Sequence, residues 1–181
     1  MKQYVKQLEM ALYNSEWLIL RDYEKIFDID SSIDYFIVCE LVQNTEPTWP
    51  KSVYMYKDKN GKLKTGPIWD CDYLTFTARW VADAPMKSAI YYHQLFKDPV
   101  FVARFKERWA EYKPQMETIP TYINAQARKI KSSAEINGQL WPINTRVNND
   151  ETLSHDDAVA RMIENYSKKL QWLDEWISEL D

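Results

Sequence analysis

The chain has 181 residues, a net charge of −4, eight Trp and twelve Tyr. That length fits one domain with a sizeable core. The acidic balance excludes a general electrostatic pull toward nucleic acid or anionic lipid, no apolar run approaches a bilayer span, and no signal peptide is read at Met1.

The first 45 or so residues read as helical. Val5, Leu8, Ala11 and Leu12 are spaced as one buried stripe. A clearer helix is expected over Ser31–Asn44, capped by Asp30 or Ser31. Ile33, Phe36, Ile37 and Leu41 follow the i, i+3, i+4 pattern, with Glu40 as a polar intruder. The polar loop Asn44-Thr45-Glu46-Pro47 comes next.

A β-hairpin is expected after it, with strands Ser52–Lys57 and Lys62–Ile68. Asp58-Lys59-Asn60-Gly61 joins them, and Asn-Gly tolerates the positive φ of a tight turn. Gly66-Pro67 ends the ladder. Asp70 and Asp72 follow, two carboxylates one residue apart just past a strand end, where a hard cation or a phosphate-bound Mg²⁺ is readily held. Carboxylates in loops also commonly stay solvated or cap a helix.

Thr75–Ala84 reads as an irregular loop, with Arg79 and Trp80 facing the site. A helix is expected over Met86–Phe96. Asp98-Pro99 is a start signal, because Asp caps and Pro suits the first turn. Phe101, Phe105, Trp109 and Tyr112 then share one face, read as core. Gln115–Glu135 looks helical with a bend at Pro120 and an end at Asn137-Gly138. Trp141–Asn149 reads as a loop. Ser154 to Asp157 resembles a capping box, and Val159, Met162, Ile163, Tyr166, Leu170, Leu173, Ile177 and Leu180 line a long closing helix. Cys39 and Cys71 read as buried thiols, with a disulfide between helix and loop left open. His93 and His155 have no metal-ligand spacing with Cys.

The order helix, carboxylate loop, hairpin, carboxylate loop is that of the large lobe of protein kinases. More specifically, the chain resembles the C-terminal half of the CotH kinase-like family, the spore coat protein H group, and its Bacteroides-type members. The residues that carry this are Asp30-Ser31-Ser32-Ile33-Asp34-Tyr35-Phe36, Glu40-Leu41 with Asn44, Trp49-Pro50-Lys51-Ser52 with Tyr54-Met55-Tyr56-Lys57, and Gly66-Pro67-Ile68-Trp69-Asp70-Cys71-Asp72. Leu95 to Pro99 with Phe101, and Arg108-Trp109, extend it more loosely. It covers about Asp28 to Trp141.

The resemblance implies a mainly α fold with a small β-hairpin, the helical large lobe of an atypical kinase. It implies ATP- and Mg²⁺-dependent phosphotransfer to a protein or peptide acceptor, and export or a cell-envelope location. Asp70 takes the metal position, with Asp72 as second candidate. The base position falls at Glu46, where related sequences carry Asp; the extra methylene shifts the carboxylate by over an ångström, and phosphoryl transfer depends on positioning. No Asn follows as a second metal ligand; Lys51 and Ser52 occupy that region. Lys51 and Arg79 are the basic residues placed to meet a phosphate. The chain has only three Gly, at 61, 66 and 138, and no phosphate-cradling loop. It is therefore expected to be one lobe, a single domain from a longer protein. Two other readings stay open: a pseudokinase-like envelope scaffold, and a glycan- or peptide-binding module using Trp49, Trp69 and Trp80.

Overall fold

The early apolar stripe forms α1 (Lys2–Tyr13), with Leu8, Ala11 and Leu12 buried. It packs on the short helices α2 (Trp17–Leu20) and α3 (Tyr23–Ile26). The computed structural model describes residues 2–142 and 152–181. Helix α4 (Ile29–Val42) is buried on nearly every side, and touches elements from both halves of the chain. Its N-cap is Asp28 rather than Asp30 or Ser31: the Asp28 carboxylate accepts the Ser31 N–H at 3.0 Å. Asp30 is drawn away by Arg104, which donates two bonds at 2.8 and 2.7 Å.

The hairpin is present but shorter than expected. Strand β1 (Met55–Tyr56) pairs antiparallel with β2 (Lys64–Thr65), Met55 opposite Thr65. Three features confine it. Ser52 takes φ 52°, outside the extended region. Gly66 takes φ 126°, open only to a residue without Cβ, and a cis peptide bond to Pro67 follows. Leu63, fully buried, leaves the ladder to bridge Phe27 just before α4. At the tip the Gly61 N–H closes a turn on the Asp58 carbonyl at 3.1 Å. Neither Asn60 nor Gly61 takes a positive φ, so the turn is not the type that Asn-Gly suggested.

The helix expected over 86–96 is broken into a 3₁₀ turn (Pro85–Ser88) and the short α5 (Tyr92–Leu95). Tertiary bonds override the periodicity. The Met86 N–H is taken by the Glu40 carboxylate at 2.7 Å, and the Tyr92 hydroxyl reaches the Ser32 carbonyl at 2.8 Å. Helix α6 (Pro99–Met116) starts where Asp98-Pro99 signals, the Asp98 side chain accepting from the Val100 N–H. Phe101, Phe105 and Trp109 are buried as predicted.

Pro120 sits in the first turn of a new helix, α7 (Ile119–Leu140), so it marks a break and not a bend; there its missing N–H costs nothing. The helix runs through Gly138, which stands in open space. Most of the loop expected at 141–149 lies outside the described residues. Helix α8 (His155–Ser178) begins at its Ser154 cap and closes the core with Tyr166, Leu170, Leu173 and Ile177. At the centre Phe36 meets Tyr92, Phe96, Phe105 and Trp176, ring centroids 5.0–6.2 Å apart. The chain is thus mainly α with a small antiparallel hairpin. Among the described residues no helix is long and apolar enough to cross a membrane.

Candidate functional site

Three loops meet at the C-terminal end of α4. The first leaves the helix through Gln43, which takes the left-handed conformation, and folds into a 3₁₀ turn at Glu46–Thr48. The Glu46 carbonyl accepts the N–H groups of Trp49 at 3.0 Å and Lys51 at 3.2 Å. That compact turn places Glu46 and Lys51 on one wall.

The second loop is the acidic segment after the hairpin. Asp70 takes φ 58° and Leu74 φ 57°, both left-handed. Such conformations are costly for residues with a Cβ and persist only where surrounding contacts fix them. Here Ser52 donates its hydroxyl to the Asp70 carboxylate at 2.8 Å, and the Trp69 indole N–H donates to the Ser52 carbonyl at 3.0 Å. Ser52 stands in the region where the resemblance would put a second metal ligand, and it supplies a hydroxyl to the same aspartate.

The third loop holds Arg79 and Trp80 in a 3₁₀ turn (Ala78–Trp80). Several bonds pin it. The Phe76 N–H reaches the Val42 carbonyl at 3.2 Å, Asn165 donates to the Phe76 carbonyl at 2.8 Å, and Lys169 donates to the Trp80 carbonyl at 3.1 Å and also to the Asp83 carbonyl. The Arg79 guanidinium lies 4.8 Å from the Trp80 ring centroid.

Between these loops lies a cleft of about 410 Å³. Glu46, Lys51, Arg79, Trp49, Trp80 and Tyr73 are among its walls. The predicted base and both predicted phosphate contacts therefore share one cavity, of a size usual for small-molecule sites. Asp70 and Asp72 are exposed and do not line it. They stand at its edge: Ser52, bonded to Asp70, follows Lys51 of the wall, and Asp72 precedes Tyr73 of the wall. Trp69 is also off the cleft, packed 5.3 Å from Tyr54.

Cys71 reports how close the carboxylates are. Burial pushes its thiol up, the Asn44 amide pulls it down, and Asp70, Asp72 and Glu46 push it up again. All three carboxylates thus act on one sulfur. Both cysteines are free thiols; Cys39 is buried and Cys71 half-buried. Two polar atoms of the cleft residues, Glu46 Oε2 and Trp80 Nε1, are buried with no hydrogen-bond partner in the protein. Such atoms are costly unless a ligand or water meets them.

Kinase-like chemistry needs a cation. Among the described residues no group of three His, Cys, Asp or Glu side chains could hold a metal ion. Among them no dedicated protein cage is formed. Magnesium, however, commonly binds through one or two carboxylates and completes its shell with water and substrate phosphate. Asp70, which accepts the Ser52 hydroxyl, and Asp72 two residues on offer oxygen donors of that kind, so their chemistry suits a cation that arrives with phosphate.

Sequence reasoning named Glu46, Lys51, Arg79, Asp70 and Asp72 but missed Asn44, Ser52 and Lys169 as parts of the site's framework. Lys169 had a signal: a lone charge on the apolar face of α8, matching the lone charge Glu40 on α4. A search of curated proteins and a search of solved structures each return no match. The family model described as CotH kinase protein matches residues 1–179, and the chain therefore belongs to the CotH kinase family.

Proposed function

We propose that this chain is the large lobe of a CotH-type phosphotransferase, with the cleft at the end of α4 as its phosphate-handling half-site. The observation that carries the reading is the gathering of Glu46, Lys51 and Arg79 on one cleft of about 410 Å³ with Asp70 at its rim. Lys51 and Arg79 supply the cations for phosphate oxygens; Arg79 offers a planar fork and Lys51 a point charge. Asp70 and Asp72 would hold the Mg²⁺ that enters with ATP, a cation that would supply charge neutralisation at the phosphates. Glu46 orients the acceptor hydroxyl and takes its proton. One carboxylate oxygen of Glu46 is buried with no protein partner, an unmet acceptor at the cleft wall.

The test is label transfer from γ-labelled ATP to the protein or to a Ser/Thr/Tyr peptide mixture. Transfer should require Mg²⁺ and fall by about 10²–10⁴ in Glu46→Gln, the usual worth of a positioned base. Equal transfer in Glu46→Gln overturns the role of Glu46. Nucleotide binding without transfer selects the pseudokinase scaffold instead.

A second reading has one observation in its favour. Trp49 is 75 % exposed while also forming part of the cleft wall. An exposed indole at a cavity edge suits stacking on a sugar or peptide. Binding of oligosaccharide without nucleotide, lost in Trp49→Ala, selects that module.

A further inference from the structure

Asn44 is almost fully buried, 3 % exposed, at the junction of the two carboxylate loops. Its backbone N–H is spent on the Cys39 carbonyl at 2.8 Å, closing the end of α4. Its side chain faces both loops. The Oδ1 atom accepts the Glu46 N–H at 3.1 Å, and the Nδ2 group donates to Cys71 Sγ at 3.4 Å. The first bond fixes the amide's orientation, because a backbone N–H needs the oxygen end. The nitrogen end is then committed to Cys71, which lies between Asp70 and Asp72. Cys71 is tied further to its own loop through the Trp69 carbonyl at 3.5 Å.

We infer that the Asn44 side chain is the strut that holds the Glu46 loop in register with the Asp70–Asp72 loop, so that both respond together to a cation and nucleotide at the cleft. Asn44 touches no reacting atom in this arrangement; it is a positioning residue. A short buried amide suits the task because it has one acceptor and one donor end at fixed separation. A hydroxyl donates and accepts at a single atom and an aliphatic side chain does neither, so neither spans the two loops as the amide does. The inference rests on the phosphotransfer reading for its purpose, though the strut itself stands on the two bonds.

The experiment is residue-resolved amide exchange on the whole chain, with and without Mg²⁺ and ADP, for wild type, Asn44→Ala and Asn44→Asp. Exchange at Ile37 and Leu41 in α4 confirms that each variant is folded. Without ligand, Asn44→Ala should exchange about tenfold faster at Glu46 and also across 70–73, the effect of one lost hydrogen bond at each place. Asn44→Asp keeps the acceptor for the Glu46 N–H but loses the donor to Cys71. It should leave Glu46 slow and free only 70–73, which also decides the matter if Asn44→Ala fails to fold. With Mg²⁺ and ADP, wild type should slow at both segments and Asn44→Ala at 70–73 alone. Loosening confined to Glu46 in Asn44→Ala, or undiminished ligand protection of Glu46 in that variant, overturns the strut. If ligand changes nothing in wild type, the phosphotransfer reading fails, and the ligand-free comparison still decides whether Asn44 joins the loops.

Discussion

Lys169 on α8 reaches Glu40 in the middle of α4 across 2.7 Å, with the two side chains 0 % and 1 % exposed. Burial raises Glu40 and lowers Lys169, each toward its neutral form, while their mutual attraction opposes both shifts. What makes the burial tolerable is full satisfaction. The ammonium has three donors and meets three acceptors: Glu40, the Trp80 carbonyl and the Asp83 carbonyl. The second Glu40 oxygen takes the Met86 N–H. The pair therefore nails the Arg79–Trp80 loop to the two helices that build the core.

Removing one partner leaves the other charge buried and alone. Lys169→Met should cost about 3–5 kcal/mol, and replacing both residues by apolar ones should cost much less. Urea unfolding of the two variants checks this. A Lys169→Met loss below about 1 kcal/mol contradicts the account of the loop's anchor.

Acid behaviour follows from two surface pairs. A hydrogen bond from Arg104 is the first cause that holds Asp30 below the usual carboxylate range; bonds from Lys113 and then Trp109 do so for Asp174. A carboxylate depressed on folding stabilises above its unfolded value, about 3.9, and that contribution is lost as pH falls through the folded value. Both side chains are about two-fifths exposed, so each pair contributes no more than about 1 kcal/mol. Asp174→Asn should be less stable than wild type at pH 7, with the gap closing below about pH 4. A gap that stays constant from pH 7 to pH 3 in urea titrations contradicts this.

In the cleft, Lys51→Ala and Arg79→Ala should each weaken MgADP binding about tenfold, and more steeply at low salt. The effect on unfolding midpoints should be small, because both side chains are exposed. Calorimetric titration at two salt concentrations measures it. Unchanged affinity in both variants would place the phosphates elsewhere.

The helices were legible because their apolar residues repeat at helical spacing: Leu8, Ala11 and Leu12, then Phe101, Phe105 and Trp109, are buried as their pattern says. The cap at Asp98 and the cap at Ser154 were legible for the same local reason. What the pattern hid was decided by contacts distant in the chain. Arg104, on α6, takes Asp30 from the cap role; Leu63 abandons the hairpin for Phe27; Glu40 takes the Met86 N–H and breaks a helix that periodicity favoured. At the site, Glu46 follows from the family resemblance and Lys51 and Arg79 from their place in the chain, and the three share the cleft. The Asn44–Cys71 bond, across 27 residues, left no mark in the pattern, and the Glu40–Lys169 bond, across 129, left only a lone charge on each apolar face.

The proposed phosphotransfer requires Asp70 to seat a cation beside the cleft. Titration of the protein with Mn²⁺ in the presence of ADP, read by electron paramagnetic resonance of free Mn²⁺, tests it most directly. Saturable binding is expected, weakened at least about tenfold in Asp70→Ala, by loss of a direct ligand. Equal Mn²⁺ affinity in wild type and Asp70→Ala, with both proteins folded, would contradict it.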